Sequence, residues 1–538
     1  MKQLIFLFIL WLSALLVKAN KIEINITQTY LNFPIGKDAS RKLMQISLPD
    51  GTISREFGIQ LAEDKVEYWS YLDVSEYKGK RITLSCKGSD EQLARIYQSE
   101  KIRGADTLYK EKLRPLFHYT VKRGWLNDVN GPIFLNGTYH LFYQNYQYGT
   151  DWHTGFMYWG HAVSKDMLHW EEQPHALELD SLGSPWSGCT VIDKENTAGF
   201  GKGALLLFYT AYNYLASEQK QCLAYSTDGG KTFSRYSNNP IIDNRLELGT
   251  NDVRDPKVFW HEPTKKWVMA LFENDGIGFY LSSNLLSWER VSKFKGLHEC
   301  PDLFELPVQG HKDVKKWVLH GASADYFIGH FNGREFISET PKLRYAHGKT
   351  GSEDILYAGQ TFANMPDRRT VQIAWGRGIS HAGMPFSQAM LIPTEFTLKD
   401  TPDGIRLFAK PIREIADLHK ETSSWANLPS EQINAELRKN KLTSLHLVID
   451  FSLKKAGAFR IRYNGELLCE LTNEQLSGKN NRLYVFVDKE IAEIFVNDGE
   501  QYLIRHLANP ANDHGLEMDN YGAVLDKVTL HEMSTVWP

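Results

Sequence analysis

Apolar and polar residues alternate in short runs along most of this chain, and no apolar stripe is sustained at helical spacing. Alternation with period two puts a strand's apolar side chains on one face. Near the start IEINIT (22–27) and RITLSC (81–86) read this way, and near the end LHLVIDF (445–451), AFRIRYNG (458–465) and RLYVFVDKEIAEIFVNDG (482–499) do the same. Polar, Gly and Asn-Asp-Gly turns separate these runs, which predicts a β-sandwich over residues 20–110 and a second over 416–538. The polar stretch from Glu421 to Asn440 is expected to hold a linker with one short helix. Between the sandwiches, short strands rich in Tyr, Phe and Trp carry a recurring punctuation: SKDMLHW ending at Trp170, STDGGKTF at Phe233, SSNLLSW at Trp288 and FNGREF at Phe336. An aromatic thus closes a Ser/Asp/Gly-containing turn roughly every 50 to 60 residues, the period of a propeller blade. Residues 111–415 are therefore predicted to form a β-propeller of about five four-stranded blades, and the fold class is all-β.

At 538 residues the chain has room for several cores, and a net charge of -4 gives no electrostatic footprint for nucleic acid. Aromatics make up 12% of the residues, which suits either sugar stacking or β-rich cores. Lys2, the apolar run Leu4–Val17 and the small-residue site Val17-Lys18-Ala19 read as a signal peptide over residues 1–19. That run is too short for a membrane span. A secreted, periplasmic or cell-surface protein is expected. The five cysteines are scattered without metal-ligand spacing, so buried free thiols are expected, with one bridge such as Cys189 to Cys222 as the alternative. Asp106–Phe117, rich in Lys and Arg, is expected to be a linker.

Three acidic residues stand in unusual local sequence. Asp128 lies in WLNDVNG (125–131), between two asparagines and before a Gly-Pro turn, a setting in which amides can hold one carboxylate rotamer. The same heptapeptide also describes an ordinary hairpin loop. Asp255 lies in NDVRDPKVFW (251–260), where neighbouring Arg254 is expected to lower its pKa. Glu299 lies in HECPDLFEL (298–306), before an apolar strand expected to desolvate it and raise its pKa. An ionised and a protonated carboxylate at one site are what glycoside hydrolysis requires. A salt bridge at a turn and a strand-end residue are the bland readings of the same two motifs.

WLNDVNG, Val253-Arg254-Asp255-Pro256 and Glu299-Cys300-Pro301-Asp302 resemble, in order, the three signature blocks of glycoside hydrolase family 32, the β-fructosidases that include invertases, inulinases and levanases. FYQ ending at Gln144, WGHA from Trp159, WSG from Trp186, SEDILYAGQTF from Ser352, MPFSQAMLIPTEFTL from Met384 and the C-terminal alternating run are also similar. The resemblance covers Leu116 to Pro538 and implies a five-bladed propeller with an axial pocket, followed by a sandwich. It implies Asp128 as nucleophile, Glu299 as general acid/base and Asp255 as transition-state stabiliser, with Arg254 holding the acids together. It implies Asn127, Gln144, Trp152, Ser187, Tyr357 and Trp375 around the sugar, and neither metal nor cofactor. The expected activity is retaining, exo-acting hydrolysis of fructans or sucrose. A non-catalytic fructan-binding protein, a fructosyltransferase and a related inverting glycosidase are the rivals. The chain departs from the family at Val129, where Pro is usual, and at Tyr158, where His is usual.

Overall fold

A computed structural model describes residues 20–538 except 89, 150, 154, 477, 479 and 509–514, so the expected signal peptide lies outside the described residues. The chain divides into two compact units at Ala105/Asp106. In the first, the strands Asn20–Asn25, Arg81–Cys86, Lys42–Ser47 and Ile53–Ile59 pair in that spatial order, and Tyr68–Asp73, Tyr30–Ile35 and Tyr97–Ser99 form a second sheet. Phe33 of one sheet meets Phe57 of the other edge to face, with ring centroids 5.6 Å apart, as the inner faces of a sandwich do.

In the second unit, a set of four antiparallel strands recurs five times along the chain, with short extra strands inserted in the first and fifth sets. The blades open with Gly124–Val129, Ser184–Asp193, Val253–His261, Asp302–Gln309 and Leu356–Thr361. The ring closes where Phe386–Ser387 pairs with Gly124 and Trp125 of the first blade. Each punctuation motif is the turn between the third and fourth strands of blades one to four. In the first, the Ser164 hydroxyl accepts from the Met167 amide, Asp166 Oδ1 accepts from the amides of Leu168 and His169, and Trp170 Nε1 donates to the Met167 carbonyl. Ser282, Asn284 and Trp288 repeat those bonds in the third. The Ser and the Asp or Asn satisfy backbone amides in the first three turns, and Trp170 and Trp288 add a bond to a carbonyl in two of them, and this is why the repeat is visible in the sequence.

The C-terminal strands form one eight-stranded sheet, whose two long members, Ser444–Tyr463 and Leu516–Met533, pair with register shifts that bend them. Ser430–Lys439 is the one helix in the stretch expected to contain it. This sheet packs on the propeller through a core that joins Phe486, Phe495 and Tyr502 to Ile392, Phe396 and Ala409. At the junction His118 is buried between Asp488, 2.8 Å from Nδ1, and Glu493, 2.6 Å from Nε2. Burial disfavours its charge, but the two carboxylates outweigh that and lift its pKa to about 9.

Residues 106–117 differ from the expected free linker. Arg114 is buried, lies 3.5 Å over the Phe386 ring and donates to Thr120 Oγ1 and the Val121 carbonyl. Tyr109 stacks on Trp537 at 4.6 Å. The charges in this segment form an anchor, because a guanidinium can stack on an aromatic face while its fork satisfies carbonyls. All five cysteines are buried free thiols. No described helix is long and apolar enough to cross a membrane.

Candidate active site

The opening strands of the blades run from one mouth of the propeller to the other. At the first mouth they line a cavity of about 400 Å³ that contains Asn127, Asp128, Gln144, Trp152, Ser187, Arg254, Asp255, Glu299, Tyr357 and Trp375. All ten residues singled out from the sequence therefore meet in one pocket. Trp186, Gln219, Asp252 and Arg377 line it as well. Trp186 was within reach, since it opens the WSG block, and Asp252 stands two residues before Arg254. Nothing in the sequence marks Gln219, which accepts the Val253 amide at 2.9 Å. A larger cavity, about 790 Å³, is lined by Trp260 and Phe304 of two opening strands and by Trp267 and Trp317 of the strands paired with them, among others. It is mainly aromatic and aliphatic and gathers none of the three acids.

Local irregularity aims the acids. Pairing of the strands Gly124–Val129 and Thr138–Tyr146 slips between Tyr143 and Asn145, at Asn127 and Asp128. Similar shifts occur at Trp186/Gly188, Arg254/Lys257 and Tyr357/Gln360. A bulge turns a side chain out of the ladder and toward the axis. Asp255 (φ 62°), Glu299 (φ 41°), Cys300 (φ 41°) and Ala358 (φ 47°) all adopt left-handed backbone. For non-glycine residues that costs of order 1–3 kcal/mol each and persists only where the surroundings impose it.

Trp125 Nε1 donates to Asn127 Oδ1 at 2.9 Å, and Asn127 Nδ2 donates to Asp128 Oδ1 at 3.2 Å. Ser187 Oγ donates to Asp128 Oδ2 at 2.7 Å. Burial raises the Asp128 pKa, and these two donors work against the rise. Asp255 Oδ2 accepts from the Cys300 amide at 3.1 Å and lies 3.5 Å from its thiol, which is 3.8 Å from Asp128 Oδ2. Glu299 Oε1 accepts from Arg254, which also pairs with Asp252. Glu299 Oε2 accepts from the Tyr357 hydroxyl and stands 3.4 Å from His298 Nδ1.

These contacts reverse both pKa expectations. Burial pushes Asp255 up to about 7, against Arg254, whose Nε is 3.7 Å away. Burial also acts to raise Glu299, but His298, Arg254 and Tyr357 outweigh it and bring the carboxyl down to about 2. Arg254 hydrogen-bonds Asp252 and Glu299 and meets Asp255 only at the longer distance, so burial prevails at Asp255 and the cation prevails at Glu299. Of the two departures from family pattern, Val129 is fully buried opposite Tyr143, and Tyr158 stacks on His175 at 5.2 Å. Neither side chain is among those lining the pocket.

Residues 118–411 match the model of the glycosyl hydrolases family 32 N-terminal domain. A levanase of Bacillus subtilis (strain 168) is 34% identical over an alignment 496 residues long that covers 80% of this chain and 72% of that one. The exo-inulinase of Aspergillus awamori superposes with a TM-score of 0.67 at 26% identity, covering 80% of this chain and 100% of that structure. A glycoside hydrolase family 32 structure from Bifidobacterium adolescentis has a TM-score of 0.63 at 17% identity and covers 96% of this chain, so that likeness of fold reaches into residues before 106. Acids from three blades in one pocket, a domain match over more than half the chain and this kinship lead to one assignment: the chain is a glycoside hydrolase and belongs to family 32.

Proposed function

We propose that the chain is a secreted, retaining β-fructosidase that releases fructose from the ends of fructans such as levan and inulin, and from sucrose. The observation that carries this reading is the meeting of Asp128, Asp255 and Glu299, each from a different blade, in one pocket. The named relatives act on substrates of this class, and residues 1–19 supply the export signal. Asp128, fixed by Ser187 and Asn127, attacks the anomeric carbon of the terminal fructosyl unit. Glu299 gives its proton to the leaving oxygen, and a covalent fructosyl-enzyme forms. Glu299 then takes a proton from water, the hydroxyl displaces Asp128, and both carboxyls return to their starting state.

Such chemistry needs a proton on Glu299, whose carboxyl His298, Arg254 and Tyr357 hold low. Sugar hydroxyls donating to Asp255 favour its ionised form, and a bound sugar that excludes water from Glu299 favours its neutral form. Trp125, through Asn127, is a positioning residue for the nucleophile.

Correctly folded Asp128→Asn and Glu299→Gln variants are expected to lose most hydrolysis of levan, inulin and sucrose, by about 10² to 10⁴ for Glu299. Near-wild-type rates in both would overturn the assignment. A second reading, transfer of the fructosyl unit to a sugar, gains support from Trp152. It is 45% exposed at the pocket lining, 6.2 Å from Trp186, and offers an acceptor sugar a stacking face. Early product profiles separate the two, because transfer yields longer oligosaccharides and hydrolysis yields free fructose.

A further inference from the structure

Three histidines outside the pocket converge on one face of the C-terminal sheet. His419 opens the strand His419–Ala426, His446 lies in Ser444–Tyr463 and His531 in Leu516–Met533, and the last of these pairs with both others. His446 and His531 are direct cross-strand partners. One nitrogen from each ring lies within 4.8 Å of the other two. His419 Nε2 is 2.9 Å from His446 Nδ1, and the rings of His419 and His531 stack 3.8 Å apart at 6°.

Packing alone does not account for these residue types. Leu445, Leu447, Ile449 and Phe451 supply the sandwich core, so His446 points to the opposite face, where it stacks on Phe486 at 4.0 Å. There it is 4% exposed, and its Nε2 has no hydrogen-bond partner. A phenyl ring would fill the place without an unsatisfied nitrogen. One imidazole nitrogen faces His419 and the other is already desolvated, so a ring flip presents either to an ion. Thr422 Oγ1 lies 2.8 Å from His531 Nδ1 and leaves that ring's Nε2 to ligate, the arrangement of an outer partner fixing a metal-binding imidazole.

The geometry points to a divalent transition-metal site of the zinc type, held by His419, His446 and His531 with water completing the shell. Imidazole suits zinc, copper and nickel, and the absence of carboxylate from the set disfavours calcium and magnesium. Zinc–nitrogen bonds of about 2.0–2.1 Å in a tetrahedron place the nitrogens ~3.4 Å apart, and because an imidazole lone pair lies in the ring plane, His419 or His531 must turn out of the stack to share the ion. Burial lowers the pKa of all three, His419 to about 4, which keeps the lone pairs available. The ion would tie the last strand of the chain and the strand that enters the sandwich to the middle of the sheet. The separations, 27 residues from His419 to His446 and 85 from there to His531, hide the set from any motif search.

Untagged full-length protein, stripped with chelator and titrated calorimetrically with zinc chloride, is expected to bind one equivalent, to bind no magnesium and to gain thermal stability from zinc. His446→Gln and Thr422→Val should each weaken zinc binding by at least about tenfold, with sucrose hydrolysis unchanged. Thr422 is exposed, so Thr422→Val carries the test if His446→Gln does not fold. Absence of saturable binding, a stoichiometry other than one, or unchanged affinity in the folded variants would overturn the site.

Discussion

Replacing Lys257 with methionine removes the cation beneath a carboxylate that has no water to turn to. Asp302 is fully buried, accepts from the Leu303 amide and from the Thr361 amide and hydroxyl, and meets Lys257 Nζ at 3.0 Å. Burial raises its pKa, but Lys257 and the other partners outweigh that, and it lies below the usual carboxylate range. Breaking such a pair on one side costs about 3–5 kcal/mol. Protonation sets a ceiling, since neutralising a carboxyl of ordinary pKa ~3.9 costs ~1.4 kcal/mol per pH unit, hence ~4 kcal/mol at pH 7 and ~1 kcal/mol at pH 4.5. In the wild type the depressed pKa gives stability that is present above the unfolded value and lost as the pH falls. In Lys257→Met the pKa is raised, so the carboxyl favours folding below the unfolded value and loses that contribution as the pH rises. The two trends act together, and the stability gap should be widest near pH 7.5 and shrink by roughly 3 kcal/mol toward pH 4.5.

Urea unfolding followed by tryptophan fluorescence at three pH values reads that gap, and adding Asp302→Asn to Lys257→Met should recover most of it at pH 7.5 while retaining acceptors for Thr361. A gap that is independent of pH, or below ~1 kcal/mol at pH 7.5, would refute the reasoning and implicate His320, 3.8 Å from Asp302, as a substitute cation. The pair matters to the site because Lys257 follows Asp255 by two residues and Asp302 follows Glu299 by three, so it straps together the segments that carry two of the acids.

Fructose inhibition measured from pH 5 to 9 should show an inflection near the Asp255 pKa, about 7, as that carboxyl loses its proton; Asp255→Asn should abolish it, and persistence of the inflection would assign it to another group. Trp125→Phe deletes the donor to Asn127, and at ~0.5–1.5 kcal/mol for one hydrogen bond should lower kcat by about two- to tenfold with little change in KM; an effect confined to KM would contradict a positioning role. Val129→Pro restores the residue usual in family 32 at a fully buried position facing Tyr143, and steady-state assays should find activity unchanged or raised. A large loss would mean that this turn relies on the amide proline lacks.

The parts of this molecule that the sequence disclosed are those in which a residue type answers a local backbone need. Ser164 and Asp166 recur as Ser226 and Asp228 and as Ser282 and Asn284 because these blade turns have the same kind of backbone amides to satisfy, so the propeller was legible from its turns. The buried anchor at Arg114 was not, because a guanidinium on an aromatic ring and one in water have the same sequence signature. That the three acids would line one pocket was likewise legible, but the directions of the Asp255 and Glu299 shifts were not. Adjacency in sequence suggested that Arg254 would serve Asp255 and leave Glu299 desolvated. With the bulge between Arg254 and Lys257 and the left-handed backbone at Asp255, the guanidinium hydrogen-bonds Glu299, 45 residues away, while its Nε stays 3.7 Å from Asp255. In a site built at strand ends, a one-residue irregularity in pairing decides which carboxylate receives the cation. The same irregularity presents Asp255 to the pocket, so the placement of that acid and the pairing of its neighbouring cation have one structural origin.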